Sequence, residues 1–106
     1  MKQAVHIPWY ATLFRGDKLH QALELIAPVA QRYGATSWAV YRSMDDMYKF
    51  LQVAEFDSKE EWNAYWNGPE FVDFRIANGT YFQVPVLYGF HAVTSGSIHS
   101  NGFVAS

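Results

Sequence analysis

Of the four histidines in this 106-residue chain, two stand where they could act as general bases. His6 lies in the first alternating apolar segment and His91 in the last. Imidazole changes charge near neutral pH, which is what proton removal at that pH requires. Alternation of side chains puts Tyr10 on the face of His6, and Gln83 on the face of His91. If the first and last segments are antiparallel neighbours, His6, His91, Tyr10 and Gln83 gather at one end of a largely apolar cavity, the usual form of a small-molecule site. In that reading His91 or His6 removes a proton, and Tyr10 or Arg75 stabilises the negative charge that develops. The plainer reading is a pair of hydrogen-bonded histidines at a rim or a subunit seam. Two histidines with no firm carboxylate partner are a poor ligand set, so no metal site is expected.

Side chains of the second half could complete such a site. Trp62 and Trp66 are one helical turn apart and could stack on an aromatic ligand, although a stripe of this kind more often packs in a core. Arg75 follows Phe71 and Phe74 on an apolar turn and could hold a substrate carboxylate through two hydrogen bonds. Arg42 beside Asp45 and Asp46 reads as a surface ion pair. Those two aspartates, with Glu60 and Glu61, read as solvated charges of a turn and a helix start.

These side chains need a scaffold. Residues 5–14 alternate, with Val5, Ile7, Trp9, Ala11 and Leu13 on one face and His6, Tyr10, Thr12 and Phe14 on the other, which predicts a strand. Pro8 cannot donate a ladder bond and predicts a bulge or an unpaired stretch. Asp17 reads as the N-cap of a helix whose stripe is Leu19, Ala22, Leu23, Ile26, Val29, Ala30 and Tyr33, bent at Pro28 and stopped at Gly34. Residues 36–42 and 48–56 read as a hairpin across the short linker 43–47. Ser58 and Glu61 match a capping box, followed by a helix with Trp62, Tyr65 and Trp66. Gly68 and Pro69 break it and start another turn that ends at Asn78 and Gly79. Residues 81–93 read as a long last strand, with Gln83, Leu87 and His91 on one face and Val84, Val86, Tyr88 and Phe90 on the other. Pro85 marks an edge or a bulge in it.

The order strand, helix, strand, strand, helix, strand predicts an α+β, ferredoxin-like βαββαβ domain, a four-stranded antiparallel sheet with two helices on one face. The domain is expected over residues 1–94, followed by a Ser- and Gly-rich extension over 95–106 that is loose or docks on a partner through residues such as Phe103. Half of the chain is hydrophobic and 18% is aromatic, more apolar material than a small core hides. Two helices leave one sheet face bare, and Tyr10, Phe14, Phe50 and Leu87 are assigned to it. A second copy is expected to cover it, giving a homodimer that closes into an α/β barrel.

Composition excludes other classes. The formal net charge is −2, without a long run of either sign, so no nucleic-acid partner is expected. With no cysteine, disulfides, thiolate catalysis and Cys-rich metal sites are out. No apolar stretch approaches the length of about 18 residues that suggests a membrane span. No membrane partner and a cytoplasmic location are the resulting expectations.

The stretch Phe56-Asp57-Ser58-Lys59-Glu60-Glu61-Trp62, then Tyr65-Trp66-Asn67-Gly68-Pro69-Glu70-Phe71, resembles the dimeric α/β-barrel superfamily. It is most similar to the antibiotic-biosynthesis-monooxygenase-like branch, in which an aromatic ending the third strand is followed by a Ser-capped helix and a small-Pro-x-Phe turn. The resemblance covers residues 50–76 and the order of elements. It implies dimers whose sheets pack face to face. It also implies a range of activities, from cofactor-free monooxygenases and haem-degrading enzymes to isomerases, decarboxylases and proteins with no known activity. Positions where relatives often carry a Glu, a His and a haem-ligating His are here Ala54, Tyr65 and Arg75, so no haem role is implied.

Two functions follow as expectations. One is a small protein that binds or transforms a hydrophobic or aromatic molecule in the barrel with no cofactor, as a monooxygenase-like or isomerase-like enzyme. Its catalytic residues would be His91, His6 and Tyr10, and its substrate-binding residues Gln83, Arg75, Trp66 and Trp62. The other is a non-catalytic dimeric module for a hydrophobic ligand or another protein.

Overall fold

The computed structural model describes residues 2–96. Strands β1 (Gln3–Tyr10), β2 (Ser37–Arg42), β3 (Lys49–Phe56) and β4 (Gly89–Ala92) form one antiparallel sheet in the order β2-β3-β1-β4. Helices α1 (Gly16–Ile26), α2 (Lys59–Trp66) and α3 (Pro69–Ala77) pack against it, with a 3-10 segment, Ala27–Tyr33, between α1 and β2. This is the expected ferredoxin-like α+β fold, with its second helix divided in two at Gly68 and Pro69. Pro69 opens α3, where a missing N–H costs nothing. No helix among the described residues is long and apolar enough to cross a membrane.

The core lies between the helices and one sheet face. Val5, Ile7, Trp9 and Ala11 are buried, as are Phe50, Ala54 and Phe56, against Leu19 and Leu23 of α1, Trp62 and Tyr65 of α2, and Phe71 and Phe74 of α3. One polar side chain, Gln52, is fully buried among them. Its Oε1 accepts from Trp9 Nε1 at 3.1 Å, and its Nε2 donates to the Tyr65 hydroxyl at 3.0 Å. That hydroxyl donates in turn to the Ile26 carbonyl at 2.6 Å, where α1 gives way to the 3-10 segment. The chain of bonds satisfies each buried polar group it touches, as burial demands.

Local expectations hold where local chemistry decides. Ser58 caps α2 by accepting from the Glu61 N–H, and Glu61 returns the bond to the N–H of Asp57, one residue before the cap. Gly34 ends the 3-10 segment at φ 104°, a left-handed geometry that favours glycine. Pro28 acts by changing helix type: α1 ends at Ile26 and continues as tighter 3-10 turns. Asp17 is not the N-cap of α1. That position is Arg15, and Asp17 sits in the first turn, accepting from Arg42 Nη1 at 2.9 Å.

Four other expectations are corrected. Phe50 pairs with Trp9 across the β1–β3 ladder, so it shares the helix-covered face and is buried there. Leu13 and Phe14 fall beyond β1, in a turn where Phe14 has φ 65° and both side chains are exposed. The last strand is short: Phe82 bridges Ala11, and the ladder then stops until Gly89 pairs with His6. Val84 consequently does not join Val86 and Tyr88 at the core but stands exposed. The tail expectation lies, from residue 97 on, outside the described residues.

The gap in the last strand has a cause in Pro8. On this edge of β1 the groups turned towards β4 belong to alternate residues: the Lys2 carbonyl accepts from Val93, and the Tyr10 carbonyl accepts from Gln83 at 2.8 Å. Pro8 falls in this alternate set and has no N–H to offer. Six residues, 83–88, therefore span the distance that four residues, 7–10, cover on β1, and they bow out as an arch. Among the described residues no backbone N–H donates to the Pro8 carbonyl on that side.

Candidate functional site

Side chains opposite the core make a sheet face that no helix among the described residues covers. It carries Ala4, His6, Pro8 and Tyr10 of β1, Leu51 and Val53 of β3, Ala39 and Tyr41 of β2, and His91 of β4, each at least partly exposed. A contiguous apolar face of this kind on a small domain marks an interaction or ligand surface.

His6 and His91 meet on this face. Ala4 pairs with His91 and Gly89 with His6, so the two imidazoles are diagonal neighbours, with centroids 4.2 Å apart and planes tilted by 34°. Partial burial lowers the pKa of His6, and the His91 imidazole alongside lowers it further, because two positive rings repel. His6 is therefore held towards its neutral, proton-accepting form. No group of three His, Cys, Asp or Glu side chains placed to hold a metal ion occurs among the described residues.

The arch adds a concavity of about 360 Å³ further along the strand, lined by Pro8, Trp9, Tyr10, Lys49, Gln83, Val84, Pro85 and Leu87 and by neither histidine. The Val84–Pro85 peptide in its wall is cis. Pro8 stands midway between His6 and Tyr10, roughly 7 Å from each along the strand. The four polar residues expected to cluster are thus spread along one strand edge, the histidines on one side of Pro8 and Tyr10 with Gln83 on the other. Tyr10 is engaged: its hydroxyl donates to Asp46 Oδ2 at 2.6 Å. That bond raises the phenol pKa and lowers that of Asp46, whose Oδ1 also accepts from the Tyr48 N–H.

Trp62, Trp66 and Arg75 lie on the other side of the sheet. Trp62 is fully buried and stacks on Trp66 at 5.3 Å, and both pack on Tyr88. The Arg75 guanidinium covers the Trp66 ring at 4.2 Å and donates to the Trp66 carbonyl at 2.9 Å, so it closes the end of α2. Partial burial lowers the pKa of Arg75. These three form part of the core and its edge, away from the histidine pair. Sequence reasoning missed Lys49, Val84 and the Pro8 carbonyl as parts of the concavity. Asp46, read there as a solvated turn charge, is the partner that fixes Tyr10. Pro8 itself was the available signal, since a proline inside a strand announces an open ladder.

No family model and no curated protein matches the sequence. Solved structures do match in fold. A protein from Mycobacterium tuberculosis superposes with a TM-score of 0.78 at 16% identity, over 91% of this chain and 98% of that one. A candidate antibiotic biosynthesis monooxygenase from Nitrosomonas europaea gives 0.77 at 11% identity, over 85% and 88%. Another candidate antibiotic biosynthesis monooxygenase, from Chloroflexus aurantiacus, gives 0.75 at 18% identity, over 91% and 96%. At such identities the likeness speaks for architecture: this chain has the ferredoxin-like α+β fold found in antibiotic biosynthesis monooxygenase-like proteins.

Proposed function

We propose that the uncovered sheet face binds a small aromatic molecule between two copies of this chain, and that the His6–His91 pair takes a proton from it without a cofactor. The observation that carries this reading is the close imidazole pair on an apolar sheet face that also holds the arch concavity further along β1. A neutral His6 accepts a proton from an acidic O–H or C–H of the bound molecule and becomes imidazolium, leaving the ligand as its conjugate base. Lys49 at the concavity supplies positive charge for that anion, and the Pro8 carbonyl and Gln83 side chain are free to orient ligand polar groups. The fold likeness to monooxygenase-like proteins is consistent with this use of the face, and a second copy gives it the cover that its apolar area calls for.

The test uses 2-naphthol, whose fluorescence reports binding and whose absorbance reports ionisation. Wild type should bind it saturably and make it ionise at lower pH than in buffer. His6→Ala/His91→Ala should abolish the second effect. Absence of saturable binding, or ionisation that the double variant leaves in place, would overturn the proposal.

A non-catalytic binding module is the second reading. The engagement of Tyr10 with Asp46 and of Arg75 with the Trp66 carbonyl favours it, since both leave the anion fewer partners. Saturable binding with unchanged ionisation is its signature.

A further inference from the structure

Two Asn-Gly pairs lie among the described residues, and each Asn closes a helix. Asn67 ends α2 and Asn78 ends α3 with similar backbone angles, φ −96° and ψ 2° against φ −115° and ψ 15°. Each side-chain amide donates through Nδ2 to the carbonyl four residues back, that of Asn63 or Phe74, at 3.0 Å. Asn before Gly is the pair in which a backbone nitrogen most readily reaches the preceding side chain, because glycine has no Cβ to obstruct the approach.

The two glycines differ. Gly68 is buried, and its N–H donates to the Tyr65 carbonyl at 3.2 Å. It is wedged so tightly that a Cβ there would stand 2.6 Å from the Tyr33 hydroxyl and 2.7 Å from the Ala64 carbonyl oxygen. Gly79 is exposed, and its N–H donates to no group among the described residues. Attack on the Asn side chain requires the glycine nitrogen to swing towards Cγ. At Gly68 this breaks a hydrogen bond and displaces buried backbone. At Gly79 it needs only the exposed turn, closed by the Tyr81 N–H on the Asn78 carbonyl at 2.9 Å, to open. Openings of that local kind are the least costly a fold makes.

We propose that Asn78 is a site of spontaneous deamidation and isomerisation in the folded protein, and that Asn67 is protected. The Gly79 nitrogen gives its proton to solvent and bonds to Asn78 Cγ; the Cγ–Nδ2 bond breaks and ammonia leaves. Water then opens the succinimide at either carbonyl, giving aspartate or isoaspartate, with no oxidant or reductant involved. Aspartate puts a carboxylate where the Nδ2 donor met the Phe74 carbonyl, at the negative end of α3. Isoaspartate adds the side-chain methylene to the main chain between α3 and the residues that anchor the arch. There the Thr12 hydroxyl donates to the Thr80 carbonyl, the Thr12 N–H donates to the Tyr81 carbonyl, and Phe82 bridges Ala11. Ageing at Asn78 therefore loosens the base of the arch, whatever the open face binds.

Incubation of the full chain in mildly alkaline buffer tests this. Isoaspartate is mapped in chymotryptic peptides by isoaspartyl methyltransferase labelling, so that Asn67, Asn78 and Asn101 are read separately. In the folded protein Asn78 should convert about tenfold faster than Asn67, and in urea the two rates should converge. Asn78→Asp should lower the urea midpoint. Equal rates at Asn67 and Asn78 in the folded chain, or a difference that persists in urea, would overturn the assignment. An unchanged midpoint in Asn78→Asp would overturn the loosening.

Discussion

The imidazoles of His6 and His91 lie 4.2 Å apart, tilted by 34°, across the β1–β4 ladder, on the sheet side opposite the helices. One ring affects the protonation of the other. His6 is held below its ordinary pKa, first by burial and then by His91. A base whose folded pKa is depressed binds fewer protons folded than unfolded. Its contribution to stability is thus complete above the unfolded value of about 6.5 and is lost as pH falls from there through the folded value. Urea midpoints should accordingly decline on acidification through this window. His6→Gln should flatten the decline; an unchanged slope would show that the fold does not depress the pKa of His6.

The Tyr10–Asp46 bond ties the 43–47 turn to β1 and holds the Asp46 carboxyl below the usual carboxylate range. Tyr10→Phe should raise the Asp46 pKa towards its ordinary value, read by NMR of the side-chain carboxyl carbon. The stability this carboxylate gives is present above its unfolded pKa and fades as pH falls through the folded one. The variant should therefore lose stability at neutral pH and little at strongly acid pH.

Gln52 is fully buried with Trp9 and Tyr65 as partners. Gln52→Leu leaves the Trp9 indole N–H without an acceptor, and should cost about 1–3 kcal/mol. Tyr65→Phe strips the Ile26 carbonyl and the Gln52 amide of their partner, with a loss of the same order. In both, the urea midpoint should drop at constant slope, since the fold is kept.

Cover for the bare face is expected from a second copy. Sedimentation at micromolar concentration should give twice the mass of one chain. Leu51→Asp, at the centre of that face, should give a single-chain mass with the far-ultraviolet circular dichroism unchanged. A wild-type monomer would remove the barrel from the account.

Legibility followed the range of the forces involved. The capping pair Ser58 and Glu61 and the stop at Gly34 are local, and they stand where the sequence puts them. The meeting of His6 and His91 follows from strand order and alternation alone. Phe50 was misplaced because its side depends on register, which the closure of the 43–47 turn by Ser43 and Lys49 sets. The same register brings Asp46 to Tyr10. Alternation carried on past Ala11 to Leu13 and Phe14, yet the chain turns there. The apolar run 81–88 reads as a strand, yet Pro85 within it and Pro8 on the facing strand both lack a ladder N–H, and the run arches.

The most direct measurement follows the imidazole C–H resonances of His6 and His91 by NMR while 2-naphthol is added, with His20 as the internal control. His20 lies on α1 beside Glu24 and Phe50, away from the open face. The account predicts saturable shifts of both His6 and His91, a rise in the pKa of His6 when ligand is bound, and a stationary His20. Shifts confined to His20, or equal at all three rings, would contradict it.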